Sequence, residues 1–405
     1  MNNSLFYYLK YDIGWLPLLF AVIMSCKTLG FNFFPADIVS YGVLIIMAFM
    51  VLRHGIEFNQ FNAIFLFYIP FALILANPNP VFKSWIRYGL FVLVYITASP
   101  LVINEYAKEL RIRVFKGTLF CCTAISAVSF ACYFLGINLM RNTYTGAEML
   151  DYQTNTAGTF GGITSQSMLL GPISGIATIA CSYLAMTKDK RFWVLAAMCG
   201  GAMLFAASRS SLIATLVGEI VLFYFSTESV SKNMKRMILA VLVLLVTNPL
   251  WNGALEGITA KNKGSIYENI NTDSRTSKWD MRIAEWKDSP IYGIGFCAVS
   301  DRDGVGGKGM VEPGSSWLAV LSMTGAIGFV LFCLIFYKAA KTSLQPHTPE
   351  GALLGGILLM LGVHMLAEGH IFSGGSYLCF LVWLSIGCAS DYESDDIVEY
   401  VEEKI

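Results

Sequence analysis

Arg275, Trp279, Arg282 and Trp286 follow one another at spacings of four, three and four, so in a helix their side chains share one face. Asp273 or Ser274, just before them, reads as the N-cap of that helix. Two guanidiniums and two indoles on one side suit a ligand with an anionic part and a carbohydrate part. Arg grips phosphate through a bidentate fork, and Trp offers a flat face to a sugar ring. The plainer alternative is an interfacial helix, with Trp at headgroup level and Arg snorkelling. Arg209 stands in the run Ser208, Arg209, Ser210, Ser211 between two apolar stretches. It either caps a helical hairpin or points at a ligand held where lipid meets water. With Arg275 and Arg282 it could converge on one pyrophosphate.

A second group lies near the end of a late apolar run. His364 and Glu368 are four residues apart, which predicts a shared helix face, with His370 just beyond. Ionisable side chains at membrane depth are costly and by default functional. The alternative is a buried pair that ties two helices together. Glu219, deeper in its run, reads as structural. Asp301, Arg302, Asp303 imitates a DxD metal site, and Gly304 to Gly309 with Lys308 lacks the spacing of a phosphate-binding loop and its following Ser or Thr. Both read as a flexible external lid. The ten cysteines fall almost entirely in apolar runs, with Cys297 the exception, and no CxxC pair occurs. They read as buried small hydrophobes; no metal and no soluble cofactor is expected.

The elements that must position these residues are membrane helices. With 55% hydrophobic and 14% charged residues over 405 positions and a mean hydropathy of +0.59, the chain is too apolar for an ordinary soluble domain. Its opening residues do not resemble a cleavable signal peptide. About twelve stretches meet the requirement of roughly 20 mostly apolar residues: Gly14 to Phe31, Ile38 to Leu52, Phe61 to Ala76, Trp85 to Ile103, Val114 to Leu135, Ser167 to Met186, Phe192 to Ala207, Ser210 to Phe225, Met237 to Leu250, Ser315 to Tyr337, Ala352 to Ala367 and Tyr377 to Cys388. The expected fold is therefore an all-α polytopic membrane protein, one transmembrane domain over 1–405. Lys and Arg concentrate in alternate connections, at Arg53, Lys108 to Arg113, Lys188 to Arg191, Lys232 to Arg236 and Lys338 to Lys341. That bias predicts both termini in the cytoplasm and the polar stretch 251–313, with its short amphipathic helix, outside. Asn138 to Gln166 reads as a second outer segment, and the tail 391–405 as a solvated acidic end without chemistry.

Three motifs, in order, resemble the O-antigen ligase and Wzy-type O-antigen polymerase superfamily of bacterial membrane glycosyltransferases. They are SRSSLIATLVG from Ser208, Arg282 followed after ten residues by Gly293 with SPIYGIGF around it, and GSSWLAVLSMTGAIGF from Gly314. The resemblance covers roughly the second half of the chain, together with the span number and the large loop between spans nine and ten. It implies a GT-C-like fold and a metal-independent, inverting transferase. The enzyme would act at the outer face of the bacterial inner membrane on undecaprenyl pyrophosphate-linked glycans, with external Arg residues holding the pyrophosphate. Expected partners are that lipid-linked glycan, the bilayer, and a chain-length regulator and flippase of the same pathway; no nucleic acid is implied. Ligases of the family usually carry His then Asn shortly before the aromatic residue of the tenth-span motif. Here Gly314 and Ser315 stand there, so polymerase is the first expectation and ligase the alternative. A twelve-span transporter or glycan flippase would instead show two matched halves, and none is visible. The expected substrate-binding residues are Arg209, Arg275, Arg282, Trp279, Trp317 and Glu312, with Glu368 or His364 as base.

The charge bias yields a direct test. Cysteines introduced at Asn262 and Lys308 should react with a membrane-impermeant thiol reagent in intact cells whose outer membrane has been permeabilised. Labelling seen only after lysis would place the segment 251–313 on the other side.

Overall fold

The computed structural model describes residues 14–31, 35–140, 160–226, 274–300 and 314–392. Among these, the regular elements are helices, with one short 3-10 turn at Pro80–Phe82 and two isolated bridges, Leu29 with Thr164 and Phe58 with Val102. The helices are α1 (Leu16–Cys26), α2 (Ala36–Arg53), α3 (Gln60–Ala76), α4 (Ser84–Ala98), α5 (Glu105–Phe134), α6 (Ser167–Thr187), α7 (Phe192–Phe205), α8 (Arg209–Phe225), α9 (Ser274–Asp288), α10 (Ser316–Leu344), α11 (Pro349–Ala367) and α12 (Tyr377–Ser390). Six helices are long and apolar enough to cross a membrane. The chain is a polytopic all-α protein. Each expected span coincides with a helix except Met237 to Leu250, which lies outside the described residues. The start of α5 differs from expectation by a polar extension. Apolarity marks where lipid begins, whereas this helix begins at its cap, Asn104, whose side chain accepts from Ala107 N at 2.7 Å. Asn59, Thr348 and Ser376 cap α3, α11 and α12 in the same way.

Successive helices run up and down, so the bundle has two chemically distinct ends. One carries α9 and the connection from α11 to α12; it is called the loop end below. The other carries Arg53, Lys108, Arg111, Arg113, Lys188, Lys190, Arg191, Lys338 and Lys341 and is the basic end. At the centre, Trp383 of α12 is fully buried, with its ring centroid 4.7 Å from Tyr95, 5.7 Å from Phe91 and 5.9 Å from Phe332. Its indole N–H donates to the carbonyl of Ile371 at 3.1 Å, which ties the core to the loop end. Glycines let α8 and α11 close on each other: a Cβ at Gly218 would stand 2.9 Å from the carbonyl oxygen of Gly356.

Gly325 does more than permit such close packing. In the structure it breaks α10, with φ 67° and ψ −172°. The break exposes the backbone groups of Ser322 to Ile327, and the chain following α9 takes them up. Ile294 and Gly295 donate to the carbonyls of Ser322 and Met323 at 2.9 and 3.2 Å, while Ala326 donates to the carbonyl of Pro290 at 2.8 Å. The segment after Pro290 therefore docks on the membrane bundle through backbone pairing, and it can do so because Gly293 and Gly295 adopt φ of 76° and 104°.

The basic end is closed by an ion pair. Arg111 of α5, fully buried, donates from Nε to Asp391 at 2.7 Å and from Nη2 to the carbonyl of Val102 at 3.0 Å. This corrects the reading of Asp391 as the start of a solvated tail: its side chain is 3% exposed and fastens the end of α12 to α5. The remainder of the tail, 393–405, lies outside the described residues. Arg111→Ala removes the buried guanidinium from which Asp391 accepts and should destabilise the protein by about 3–5 kcal/mol. The double replacement Arg111→Met with Asp391→Leu should come much closer to the parent. Thermal unfolding in detergent checks both; an unchanged midpoint for Arg111→Ala would show that water replaces the pair.

Candidate functional site

Helix α9 places Arg282 against the break in α10. The guanidinium is fully buried and its Nη1 donates to Glu285 Oε2 at 2.8 Å, to the carbonyl of Ala298 at 3.2 Å and to Ser322 Oγ at 3.4 Å. Glu285 is equally buried and its other oxygen accepts from the backbone N–H of Ser300 at 2.8 Å. Arg282 is thus neither the snorkelling residue of the plainer reading nor an open surface grip. Burial lowers its pKa and the Glu285 carboxylate opposes that shift. Among the described residues, its Nε and Nη2 atoms meet no hydrogen-bond partner. A buried guanidinium with one donor edge unused is a large unspent attraction for an anion.

Beside this pair opens a cavity of about 460 Å³. Its wall is made by Tyr41 of α2, Arg87 and Leu90 of α4, Cys297, Ala319 and Met323 of α10, and the glycine-rich connection from Gly369 to Ser376. Cys297 joins the two halves. Its buried thiol is pushed up to about 12 by desolvation, and Arg87 and Arg282 both pull it the other way. It is therefore a neutral thiol within the influence of two guanidiniums, Arg87 in the cavity wall and the buried Arg282. The glycine-rich connection is fixed from two sides. Lys27 donates to the carbonyl of Gly375 at 2.6 Å and pairs with Asp37 at 3.0 Å. Ser316, in the first turn of α10, bonds the carbonyl of Glu368 through both its N–H and its hydroxyl, at 3.0 and 2.7 Å. The same hydroxyl oxygen accepts from the N–H groups of His370 and Ile371 at 3.0 and 3.3 Å.

The other expected residues fall as follows. Arg209 is the first residue of α8 and stays exposed. Because α8 packs antiparallel to α11, it sits at the loop end, the same end as His364. Arg275 lies on α9, its side chain outside the described residues, as is all of Glu312, together with the DxD-like triplet and the glycine run 304–309. Trp279 is 37% exposed and donates to the carbonyl of Gly314 at 3.3 Å, so its ring flanks the entrance to α10. Trp317 does not face a ligand space. Its indole donates to the carbonyl of Gly362 at 2.8 Å and its ring packs 5.2 Å from Phe332 and 5.3 Å from Phe336, which makes it a packing element between α10 and α11. His364 is on α11 and buried, its ring 5.5 Å from that of His370. Glu368 is not on the same helix face, because α11 ends at Ala367 and Ser316 holds Glu368 in an extended conformation, φ −138° and ψ 138°. Glu368 is half-buried and directly precedes Gly369, the first residue of the glycine-rich connection in the cavity wall. His370 is buried and its pKa falls to about 4 by desolvation, so it is a neutral ring.

Arg87, Glu285, Cys297 and Ser316 were not among the expected site residues. Arg87 had a faint signal, being a charge in the first turn of an apolar span. Glu285 had a clearer one, since it is three residues after Arg282 and so on the same face. Cys297 and Ser316 had none, because nothing local tells a small buried residue that it stands at a crossing of three segments.

Residues 165–333 match the family model described as O-antigen ligase. Over this segment the chain is similar to the O-antigen ligases, and the resemblance to the ligase and polymerase superfamily stands on it. The matched segment contains Arg209, Arg275, Trp279, Arg282, Cys297 and Trp317 and excludes Arg87, His364 and Glu368. No curated protein matches the chain.

If the docking of α9 on the α10 break builds this site, adding a Cβ at the break should dismantle it. At Gly325 that atom would stand 2.2 Å from the carbonyl oxygen of Ile291. Gly325→Ala should therefore cost more than the ~1–3 kcal/mol of backbone strain alone and should expose Cys297 to thiol reagents. Parent-like stability with an unreactive Cys297 would refute the docking.

Proposed function

We propose that the protein polymerises lipid-linked oligosaccharide repeats into O-antigen or a related surface polysaccharide, as an inverting GT-C-type transferase at the outer face of the inner membrane. The observation that carries this reading is Arg87 in the wall of a cavity whose Cys297 is under the influence of both Arg87 and the buried Arg282. In the reaction, an acceptor sugar hydroxyl bonds to the anomeric carbon of the donor. The anomeric C–O bond to the undecaprenyl pyrophosphate breaks with its electron pair, and the hydroxyl proton passes to a base. Negative charge grows on the leaving pyrophosphate, and fixed guanidiniums in a partly dry site stabilise it without reorganising. Arg87 is placed to touch it. Arg282, its charge balanced by Glu285, offers the unused donors Nε and Nη2, and Arg209 and Arg275 remain candidates for further contacts to the same group. Trp279, at the rim, remains the candidate for a sugar contact, and Glu312 for the acceptor side.

We take Glu368 as the base ahead of His364, because Glu368 is half-buried and precedes Gly369 of the cavity wall, whereas His364 is buried within α11. A positioned carboxylate contributes typically 10²–10⁴-fold to such a proton transfer. The second reading is a ligase, which uses the same donor and moves the finished glycan to a lipid A core sugar. The description of the family model favours it. Against it, Gly314 and Ser315 occupy the place of the family's His and Asn, and Ser315 is committed as the cap of α10, its Oγ accepting from Leu318 N at 3.4 Å and donating to the carbonyl of Met365 at 3.3 Å. A transporter or flippase has no support in the family match.

Two variants and one strain test this. Arg282→Lys should lose nearly as much polymer as Arg282→Ala, since an ammonium cannot reproduce the planar fork that meets Glu285, Ala298 and Ser322 together. Glu368→Gln should abolish turnover while donor still binds, because the amide keeps the shape and loses the proton acceptor; full activity would hand the role to His364. A deletion strain should keep single repeats on its lipid core and lose long chains. A bare core instead means a ligase.

A further inference from the structure

A second cavity, of about 510 Å³, opens at the basic end of the bundle, away from Arg282 and Cys297. Its charged lining is Glu57, Glu105, Lys108, Lys338 and Asp391. Lys108 pairs with Glu105 at 3.0 Å, and Asp391 pairs with Arg111. Among the described residues, Glu57 and Lys338 are in no ion pair. The Lys338 ammonium instead lies 5.8 Å from the centroid of the Phe61 ring. One acid and one base thus face the same space, each available to a ligand carrying both charges. Because the other groups compensate one another, a singly charged anion would gain Lys338 but meet the carboxylate of Glu57.

The cavity continues into an apolar seam. Helices α3 and α10 pack antiparallel, with Phe65 against Phe332 and Tyr68 bonded to the carbonyl of Thr324 at 2.9 Å. Along the outside of that contact, Phe61, Ile64 and Phe71 of α3 and Val330, Leu334 and Tyr337 of α10 are all exposed. From Phe61 to Phe71 the helical rise is about 15 Å, which is half the roughly 30 Å hydrocarbon core of a bilayer. Acyl chains of one leaflet would therefore lie along the seam while their headgroup sits in the cavity. A primary ammonium offers three donors to Glu57 and its neighbours, whereas a quaternary amine offers none.

We infer that this cavity binds a diacyl phospholipid with a phosphoethanolamine headgroup, its phosphate on Lys338 and its ammonium on Glu57, in the leaflet at the basic end. The inference rests on the chain spanning the membrane and is independent of the glycosyl-transfer chemistry at the other end.

The test uses the full chain purified from bilayers containing equal amounts of phosphoethanolamine and phosphoglycerol lipids, followed by native mass spectrometry of the retained lipid. The parent should retain phosphoethanolamine lipid several-fold over its share of the bilayer. Lys338→Glu should return the ratio to that of the bulk, and Glu57→Lys should shift it towards phosphoglycerol lipid. Both positions are exposed, so the variants should keep the parent's unfolding midpoint; should either fail to fold, Lys338→Gln and Glu57→Gln take their place. Retention by the parent in the bulk ratio, a phosphoglycerol preference, or folded variants that keep the parent's ratio would each overturn the proposal.

Discussion

A helix that stops being helical inside a membrane protein leaves backbone N–H and C=O groups that lipid cannot satisfy, each at a cost of several kcal/mol. The break of α10 at Gly325 poses that problem, and the segment after α9 solves it by supplying both donors and acceptors. Pro290 and Ile294 to Gly295 exchange hydrogen bonds with Ser322, Met323 and Ala326 on the two sides of the break. Neither partner is complete alone. The break needs an extended chain beside it, and the extended chain needs a broken helix to pair with. From this exchange follow the depth at which α9 sits, the burial of Arg282 beside Ser322, and the position of Cys297 in the cavity wall.

The two buried ion pairs illustrate different uses of the same interaction. Removing a charge pair from water costs more than its mutual attraction returns unless further hydrogen bonds complete it. Arg111 and Asp391 gain a further bond to the carbonyl of Val102, with Arg111 Nη1 left without a partner among the described residues; they lie far from the loop end, so their contribution is to fix which helices meet. Arg282 and Glu285 are completed by Ser300, Ala298 and Ser322, yet the guanidinium still has Nε and Nη2 without partners among the described residues. A pair left partly unsatisfied is a poor stabiliser and a good electrostatic reserve. Position separates the two pairs more than satisfaction does: Arg282 is close enough to act on Cys297 in the wall of the loop-end cavity.

Much of the fold was legible because helix and membrane impose long-range regularities. Runs of apolar residues of the right length located the spans, and caps such as Asn104 refined their ends. The face made by Arg282 was legible from spacing alone. What was not legible depended on contacts between segments remote in sequence. Gly325 reads equally as a packing glycine and as a break, and only the arrival of Ile291 decides it. Asp391 reads as the head of an acidic tail until Arg111, 280 positions earlier, is seen beside it. Glu368 keeps perfect helical spacing from His364, but Ser316 accepts or donates four hydrogen bonds around the turn and pulls the chain out of the helix one residue early. Arg87 was passed over because a single charge at the start of a span has an adequate explanation as an interface anchor.

The same local detail bears on chemistry. In the proposed reaction some group must accept the proton of the acceptor hydroxyl, and it must be held to within a fraction of an ångström to be of use. Ser316 holds the backbone of Glu368 by two hydrogen bonds to its carbonyl and clamps the following two N–H groups as well, while Lys27 fixes Gly375 at the far side of the same loop. A connection rich in glycine would otherwise be mobile, since glycine loses the most conformational freedom on ordering. Here the glycines Gly374 and Gly375 lie close against Phe91 and Tyr41, where a side chain would not fit, so they allow the loop to approach α2 and α4. The connection that follows Glu368 is therefore anchored to α10, to the end of α1 and to the face of α4 that bears Arg87. Under the proposed reaction, a carboxylate base would need this rigidity.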